Sequence, residues 1–324
     1  MTNYSIVIPT YGRAEYLKNC LASIEGQTAK PEDVFVIDNN ESVESQKTIK
    51  DIVEGISSSE INFRYFEGKI NSGAVARNYG ASKVGTELVA FLDDDVVLDD
   101  DYYEKILDVF QSDTNIVGVQ GLDRDLIESF QKNVRGKLMG WIWLSIENFF
   151  QHASIIKDKR SGVSPSLAVM HPIPDIDFCL ESQWISTCAG VFKTNLFDIV
   201  EFPKGFVKYS WNEYLFFSYS IYKKKLGTMV YTSEPKYRNI QTDAGRLPLK
   251  DLVYMAEVYD LYIFSQLFNS NFSDRLIYLK SRLGRLLYNT LRTVVRREFN
   301  FKLIRKKLIR NFIFIPILNI FSKH

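Results

Sequence analysis

A chain of 324 residues with 46% hydrophobic content can bury a sizeable core, either as one large catalytic domain with an appendage or as two domains. Its three cysteines, Cys20, Cys179 and Cys188, form neither a close-spaced metal motif nor an even disulfide set, which excludes a zinc module or disulfide scaffold and agrees with a reducing compartment. The net charge of +1 hides an asymmetry: residues 274–324 carry 13 Lys and Arg against two acids, net +11, whereas the first 273 carry 27 against 37, net −10.

The amino terminus enters a strand-like run, Tyr4 to Pro9, with no basic leader or cleavage site before it, so a cytoplasmic location is expected. Helix-like Glu15 to Gly26, strand-like Asp33 to Asp38 and helix-like Ser45 to Gly55 follow. The alternation continues through Phe63 to Phe66, Ala74 to Lys83, Leu88 to Leu92, Asp101 to Phe110 and Ile116 to Gln120. Strands alternating with helices predict an α/β fold with a parallel sheet, whose ligands sit beyond the carboxyl ends of the strands. Polar clusters follow three of these runs, at Thr10 to Arg13, Asp38 to Asn40 and Asp93 to Asp95. Beyond Gly121 the pattern weakens, with a helix expected over Val134 to Phe150, a strand over Trp184 to Phe192 and a helix around Trp211 to Leu226. Helical spacing resumes from Asp251 onward, and a boundary near residue 245 divides a domain of 1–245 (halves 1–120 and 121–245) from a helical, basic region of 246–324.

Each cluster has a chemical reading and a plainer one. Asp93, Asp94 and Asp95 end a buried strand, where adjacent carboxylates repel unless a cation or solvent neutralises them. Alternate residues share a face, so Asp93 and Asp95 would meet one Mg²⁺ or Mn²⁺, or the triplet simply opens the next helix. Asp38 would accept from a pyrimidine N–H or cap a helix. Gly73 and Ala74 permit close approach and Arg77 would reach a diphosphate, or the segment only packs tightly. Pro9 to Arg13 either exposes backbone N–H groups and Arg13 to an anion or is an ordinary turn.

Taken together, Ser-Ile-Val-Ile-Pro-Thr-Tyr-Gly-Arg13, Val-Ile-Asp-Asn-Asn40, Asn-Ser-Gly-Ala-Val-Ala-Arg-Asn-Tyr-Gly80 and Phe-Leu-Asp-Asp-Asp95 resemble the family 2 glycosyltransferases of GT-A fold, a Rossmann-like, mostly parallel sheet flanked by helices. The resemblance covers roughly residues 4–245. It implies that Pro9, Thr10, Tyr11, Arg13, Asp38, Gly73, Arg77 and Asp93 line a nucleotide-sugar site, that Asp95 ligates the metal and that Asp93 lies close to metal and ribose. Inverting relatives place a catalytic carboxylate, commonly in a Glu-Asp pair, at a helix start. Here that segment reads Tyr-Ser-Trp-Asn-Glu-Tyr214, so Glu213 is the local carboxylate for the role of general base, although it also suits a plain first helical turn. By the same resemblance Trp184, Ser186 and Thr187 face donor sugar or acceptor, with a core position the alternative for Trp184. A His ligand that relatives often add is missing near Tyr237 to Asp243, which leaves Asn239, diphosphate oxygens or water to complete the shell and Arg238 or Arg246 to meet the diphosphate.

In the region 275–324, basic residues recur among large aliphatics, as expected of a helix lying in a membrane interface on the inner face of the cell membrane, next to a lipid-linked acceptor. The run Asn311 to Phe321 is too short to cross a bilayer and contains Pro316. The alternative is a helical bundle packing on the acidic domain or on another subunit; nucleic acid is not expected, because it would leave the aliphatics unused. The competing activities are a nucleotidyltransferase, which would show a more Gly-rich first loop than Pro9 to Arg13, and a non-catalytic carbohydrate-binding scaffold.

Overall fold

The apolar runs at the start of the chain pair side by side because helices cover both of their faces. In the computed structural model, β1 (Tyr4–Thr10), β2 (Asp33–Asp38), β3 (Asn62–Glu67) and β4 (Leu88–Phe91) lie parallel in the order β3-β2-β1-β4. Residues 2–295 are described, apart from 57, 135–136, 152–154, 157–158, 241, 243, 246 and 269–270. Helices α1 (Ala14–Glu25), α2 (Val43–Glu54), α3 (Gly73–Ala81) and α4 (Tyr102–Ser112) connect or flank these strands as the periodicity predicts. Ile6, Ile8, Val34, Val36, Leu88 and Ala90 form the core on one side of the sheet, against Leu17, Leu21 and Ile49 of the helices.

The sheet continues with strands of mixed direction. β5 (Val96–Leu98), β6 (Ile116–Asp123), β10 (Cys179–Ser182), β11 (Val191–Lys193) and β12 (Thr228–Asn239) complete nine strands. β11 runs antiparallel between β4 and β6, and β12 lies parallel to β6. The strand expected over Trp184 to Phe192 is therefore only its last part. Its apolar residues are buried in a loop whose backbone is satisfied by side chains: Trp184 N–H donates to Ser182 Oγ (3.2 Å), and Cys188 N–H to Ser186 Oγ (3.0 Å). The helix expected over Val134 to Phe150 is α6 (Leu138–Phe150), and a helix that the sequence reading did not expect, α5 (Arg124–Asn133), precedes it. Gly140 lets the start of α6 lie close to the Asn133 carbonyl, since a Cβ there would stand 2.1 Å from its oxygen. The helix around Trp211 to Leu226 is α7 (Glu213–Lys224).

The chain forms two compact units, one of residues 1–131 with 174–255, the other of 132–173 with 256–324. Residues 132–173 thus cluster with the carboxyl-terminal segment, whereas the 1–245 division places them with the sheet. The second unit contains α6, a small sheet of β7 (Ile155–Ile156), β8 (Gly162–Val163) and β9 (Val169–His171), most of α8 (Leu249–Leu267), and α9 (Phe272–Val295). Arg282 and Arg285 of α9 share the buried Asp260 of α8 at 3.0 and 3.1 Å, and Phe264 stacks on Tyr278 at 4.2 Å. The segment after 295, including Asn311 to Phe321, lies outside the described residues. Among those described, no helix is long and apolar enough to cross a membrane.

Packing of α3 on β1 depends on Gly80, where a Cβ would stand 2.2 Å from Val7 Cγ1. Gly80→Ala is expected to cost about 1–3 kcal/mol in urea unfolding through overpacking. Gly85→Ala, with nothing within 4 Å, serves as the control and should be neutral or slightly stabilising.

Candidate active site

Three parallel strands deliver polar side chains to one edge of the sheet. β1 ends at Thr10 and leads into Arg13, β2 ends at Asp38, and β4 leads into Asp93 to Asp95. Arg13 donates through one Nη to Asp94 Oδ1 (3.0 Å) and Asp95 Oδ2 (2.8 Å), and through Nε to the Ala244 carbonyl (2.8 Å). Thr10 Oγ1 donates to the other oxygen of Asp94 at 2.7 Å. Asp94, to which the sequence assigned no role, is thus the staple between the first strand and the acidic loop. The turn between these groups needs Gly12, at φ +68°, whose N–H donates to Asn40 Oδ1 at 2.9 Å. Tyr11 remains 39% exposed beside it.

A second guanidinium ties the acidic loop to the helix α7. Ser72 caps α3 by accepting from Val75 N–H at 3.1 Å, and one turn later Arg77 points across the site. Its Nη2 donates to Asp93 Oδ1 at 2.5 Å and its Nη1 pairs with Glu213 Oε1 at 3.0 Å. Gly73 leaves room for that side chain, since a Cβ there would come within 3.0 Å of Arg77 Nη1. Glu213 opens α7 after a segment in which Lys208, Ser210 and Asn212 all have positive φ, at 54°, 50° and 60°. Left-handed non-glycine residues in such a run are strain that the surrounding contacts must hold. Ser210 Oγ accepts from Ala74 N–H at 3.1 Å, and Gly73 N–H donates to the Lys208 carbonyl at 3.0 Å, so the segment is fastened to α3.

Burial sets the electrostatics. Glu213 is 6% exposed, and burial above all pushes its carboxyl up to about 7, with Arg77 pulling the other way and Asp93 adding to the rise. Asp95 is likewise pushed up to about 7 by burial and by Asp93, against Arg13. Asp38 is raised by burial and held back by hydrogen bonds from Asn40 N–H (2.8 Å), Asn40 Nδ2 (2.7 Å) and Tyr65 OH (3.0 Å). Tyr65 escaped the sequence reading because its bond to Asp38 runs from β3 to β2.

Thr187 Oγ1 lies 3.5 Å from Glu213 Oε1, and Ser186 N–H donates to Gln120 Oε1 at 2.5 Å. Trp184 is 3% exposed, with ring centroids 6.0 Å from Tyr214 and 6.1 Å from Tyr231, the packing of a core tryptophan. Arg238 is engaged on the surface by Asp125 and Glu128, Asn239 donates to Cys188 Sγ at 3.3 Å, and Arg246 lies outside the described residues.

The model of glycosyl transferase family 2 matches residues 5–177. The chain belongs to that family. Similar proteins include a putative glycosyltransferase EpsH of Bacillus subtilis (strain 168), 21% identical over 60% of this chain and 59% of its own length. Another is a GalNAc(5)-diNAcBac-PP-undecaprenol beta-1,3-glucosyltransferase of Campylobacter jejuni, 29% identical over 29% of this chain and 30% of its own length. The chain thus aligns with little more than half of the first relative and a third of the second. In three dimensions a GalNAc-T7 crystallised with UDP, GalNAc and Mn²⁺ superposes with a TM-score of 0.56 at 14% identity, over 82% of this chain and 50% of that one, which shows the GT-A fold.

A divalent cation suits the donor set on chemical grounds. Four carboxyl groups, Asp93, Asp94, Asp95 and Glu213, face two guanidiniums, and the side chain of Asp93 is 31% exposed. Among the described residues no three His, Cys, Asp or Glu side chains are arranged as a complete metal cage. Mg²⁺-type sites need only one or two carboxylates, with phosphate and water completing the shell.

Glu213 holds its proton in the folded protein up to about pH 7, where an unfolded glutamate has lost it. Its contribution to stability is present below the unfolded value and lost as pH rises through the folded one. Glu213→Gln should therefore raise the urea midpoint relative to wild type at about pH 8, with the gain fading toward about pH 5.

Proposed function

We propose that this protein transfers a sugar, with inversion, from a nucleotide-sugar donor, a UDP-sugar, to a saccharide acceptor in surface polysaccharide synthesis. The observation that carries this reading is the single guanidinium of Arg77, which touches Asp93 at 2.5 Å and Glu213 at 3.0 Å. It sets a donor-side carboxylate and a buried base on opposite sides of one cation.

In this reading Asp38 accepts from the base N–H while Thr10, Tyr11 and Arg13 line the nucleotide. Asp93 and Asp95 would hold Mn²⁺ or Mg²⁺, which when bound offsets the charge of the departing diphosphate. Glu213 takes the proton of the acceptor hydroxyl. The acceptor oxygen bonds to the anomeric carbon as the bond from that carbon to the diphosphate oxygen breaks on the opposite face. A carboxyl near 7 suits a base at neutral pH, being ionised often enough while still basic enough to accept the proton. Arg77 keeps it from rising further and is placed to meet diphosphate oxygens. Thr187, which touches the base, and its neighbour Ser186 are the sugar-side contacts in this reading.

The lipid-linked character of the acceptor is supported by the Campylobacter jejuni relative, whose name includes a PP-undecaprenol saccharide, and by the basic composition of residues 275–324. A peripheral position on the inner face of the cell membrane has the support of the same two observations. Membership of family 2 favours this activity over nucleotidyl transfer.

The test is nucleoside diphosphate release by the purified full chain with Mn²⁺, a panel of nucleotide-sugars and native lipid extracts. One donor should turn over. Glu213→Gln should keep nucleotide affinity and lose about 10²–10⁴ in kcat, and full activity in that variant would move the base elsewhere. The wild-type rate should rise with pH to a plateau, half-maximal near the Glu213 value of about 7. Since Arg77 favours the ionised carboxylate, Arg77→Met should move that rise to higher pH, measured at saturating donor.

A further inference from the structure

The second unit presents an apolar surface that the reaction does not use. On α6, Leu138, Trp141, Ile142, Ile146 and Phe149 are 76%, 44%, 42%, 39% and 63% exposed. Spacings of three and four put them on one helical face, and that face is turned outward, the reverse of a helix that buries its apolar stripe. A hollow of about 390 Å³ runs along it, lined by Trp141, Ile142, Ser145, Ile146, Phe149 and Phe150. On α9, Phe272, Leu276, Leu283 and Leu287 are 74%, 50%, 38% and 44% exposed and also fall on one face.

The two stripes adjoin. A Cβ at Gly284 would stand 2.4 Å from Phe150 Cβ, so the helices meet closely there, and Lys280 Nζ lies 4.8 Å from the Phe149 ring. A contiguous exposed apolar area of this kind marks an interaction site. The charge of the chain around it selects the partner. Lys280 stands within the patch, and in the sequence residues 291–310 carry eight Lys and Arg against one Glu. Large aliphatics, a tryptophan and cations together match a lipid surface whose headgroups are anionic.

We propose that the joined outer faces of α6 and α9 are the docking surface of this protein for an anionic phospholipid membrane. Trp141, Ile142, Ile146 and Phe149 enter the headgroup boundary, while Lys280 meets the phosphates. This deepens the membrane association proposed above by naming the surface responsible, and it stands without reference to the reaction.

The test is co-sedimentation of the full chain with vesicles of phosphatidylcholine, with and without phosphatidylglycerol, alongside the mass in solution by light scattering. Wild type should bind the vesicles containing phosphatidylglycerol, more weakly at high salt and more weakly still to phosphatidylcholine alone. Ile142→Glu with Phe149→Glu should lower the partition coefficient by about tenfold or more, as expected for losing two large apolar anchors. Leu138→Glu, at the most exposed position of the face, gives an independent variant. UDP affinity should be unchanged in all of them, which separates a failure of docking from a failure of the donor site. Equal vesicle binding by the variants would overturn the proposal. So would a wild-type dimer that ignores vesicles and falls to monomer on Ile142→Glu, because a second copy would then cover the face.

Discussion

The site rests on one electrostatic constraint: four carboxyl groups, Asp93, Asp94, Asp95 and Glu213, share two largely buried guanidiniums. Arg13 spans Asp94 and Asp95, and Arg77 spans Asp93 and Glu213. Carboxylates crowded away from water lose hydration and repel one another, and cations with several directed donors can hold them in place. Compensation is incomplete, as the raised carboxyls of Asp95 and Glu213 show. An incompletely neutralised cluster is what the proposed cation and the proposed base both require. Stability given up there is a common feature of functional sites.

The fold supplies what that cluster needs. Parallel strands bring Thr10, Asp38 and the acidic loop to one edge, because each strand of a β-α-β series ends on the same side. Helix α3 carries Arg77 there, and its packing on β1 through Gly80 leaves no freedom to withdraw. The strained segment before α7 is held by Ser210 and by backbone bonds to Gly73 and Asn71, so Glu213 is aimed by α3 as much as by its own helix. The residues proposed for donor and base therefore share a mechanical support as well as a guanidinium.

Much of the first 120 residues was legible in the sequence. Doubly covered parallel strands read as short, continuous apolar runs, and their carboxyl ends are marked by the polar residues that follow. The acidic triplet and Arg77 stood out for that reason. Legibility failed where burial arose without regular structure. Trp184 and Ile185 are apolar because they lie in the core, and side-chain acceptors such as Ser182 and Ser186 replace the ladder that a strand would have used. Asp94 had no visible role because its partner Arg13 is 81 residues away. Tyr65 was hidden for the same reason, since it reaches Asp38 from 27 residues away on the neighbouring strand. The outward apolar face of α6 has the periodicity of an ordinary amphipathic helix, and only its exposure distinguishes it.

The central claim is that the carboxylates bridged by Arg13 and Arg77 form a donor site completed by a divalent cation. Calorimetric titration of UDP into the full chain, with Mn²⁺ and then with chelator, tests it most directly. The account predicts binding that weakens by about tenfold or more when the metal is removed and in Asp93→Asn, as expected where a cation links carboxylate to diphosphate. Equal affinity under all three conditions would contradict it.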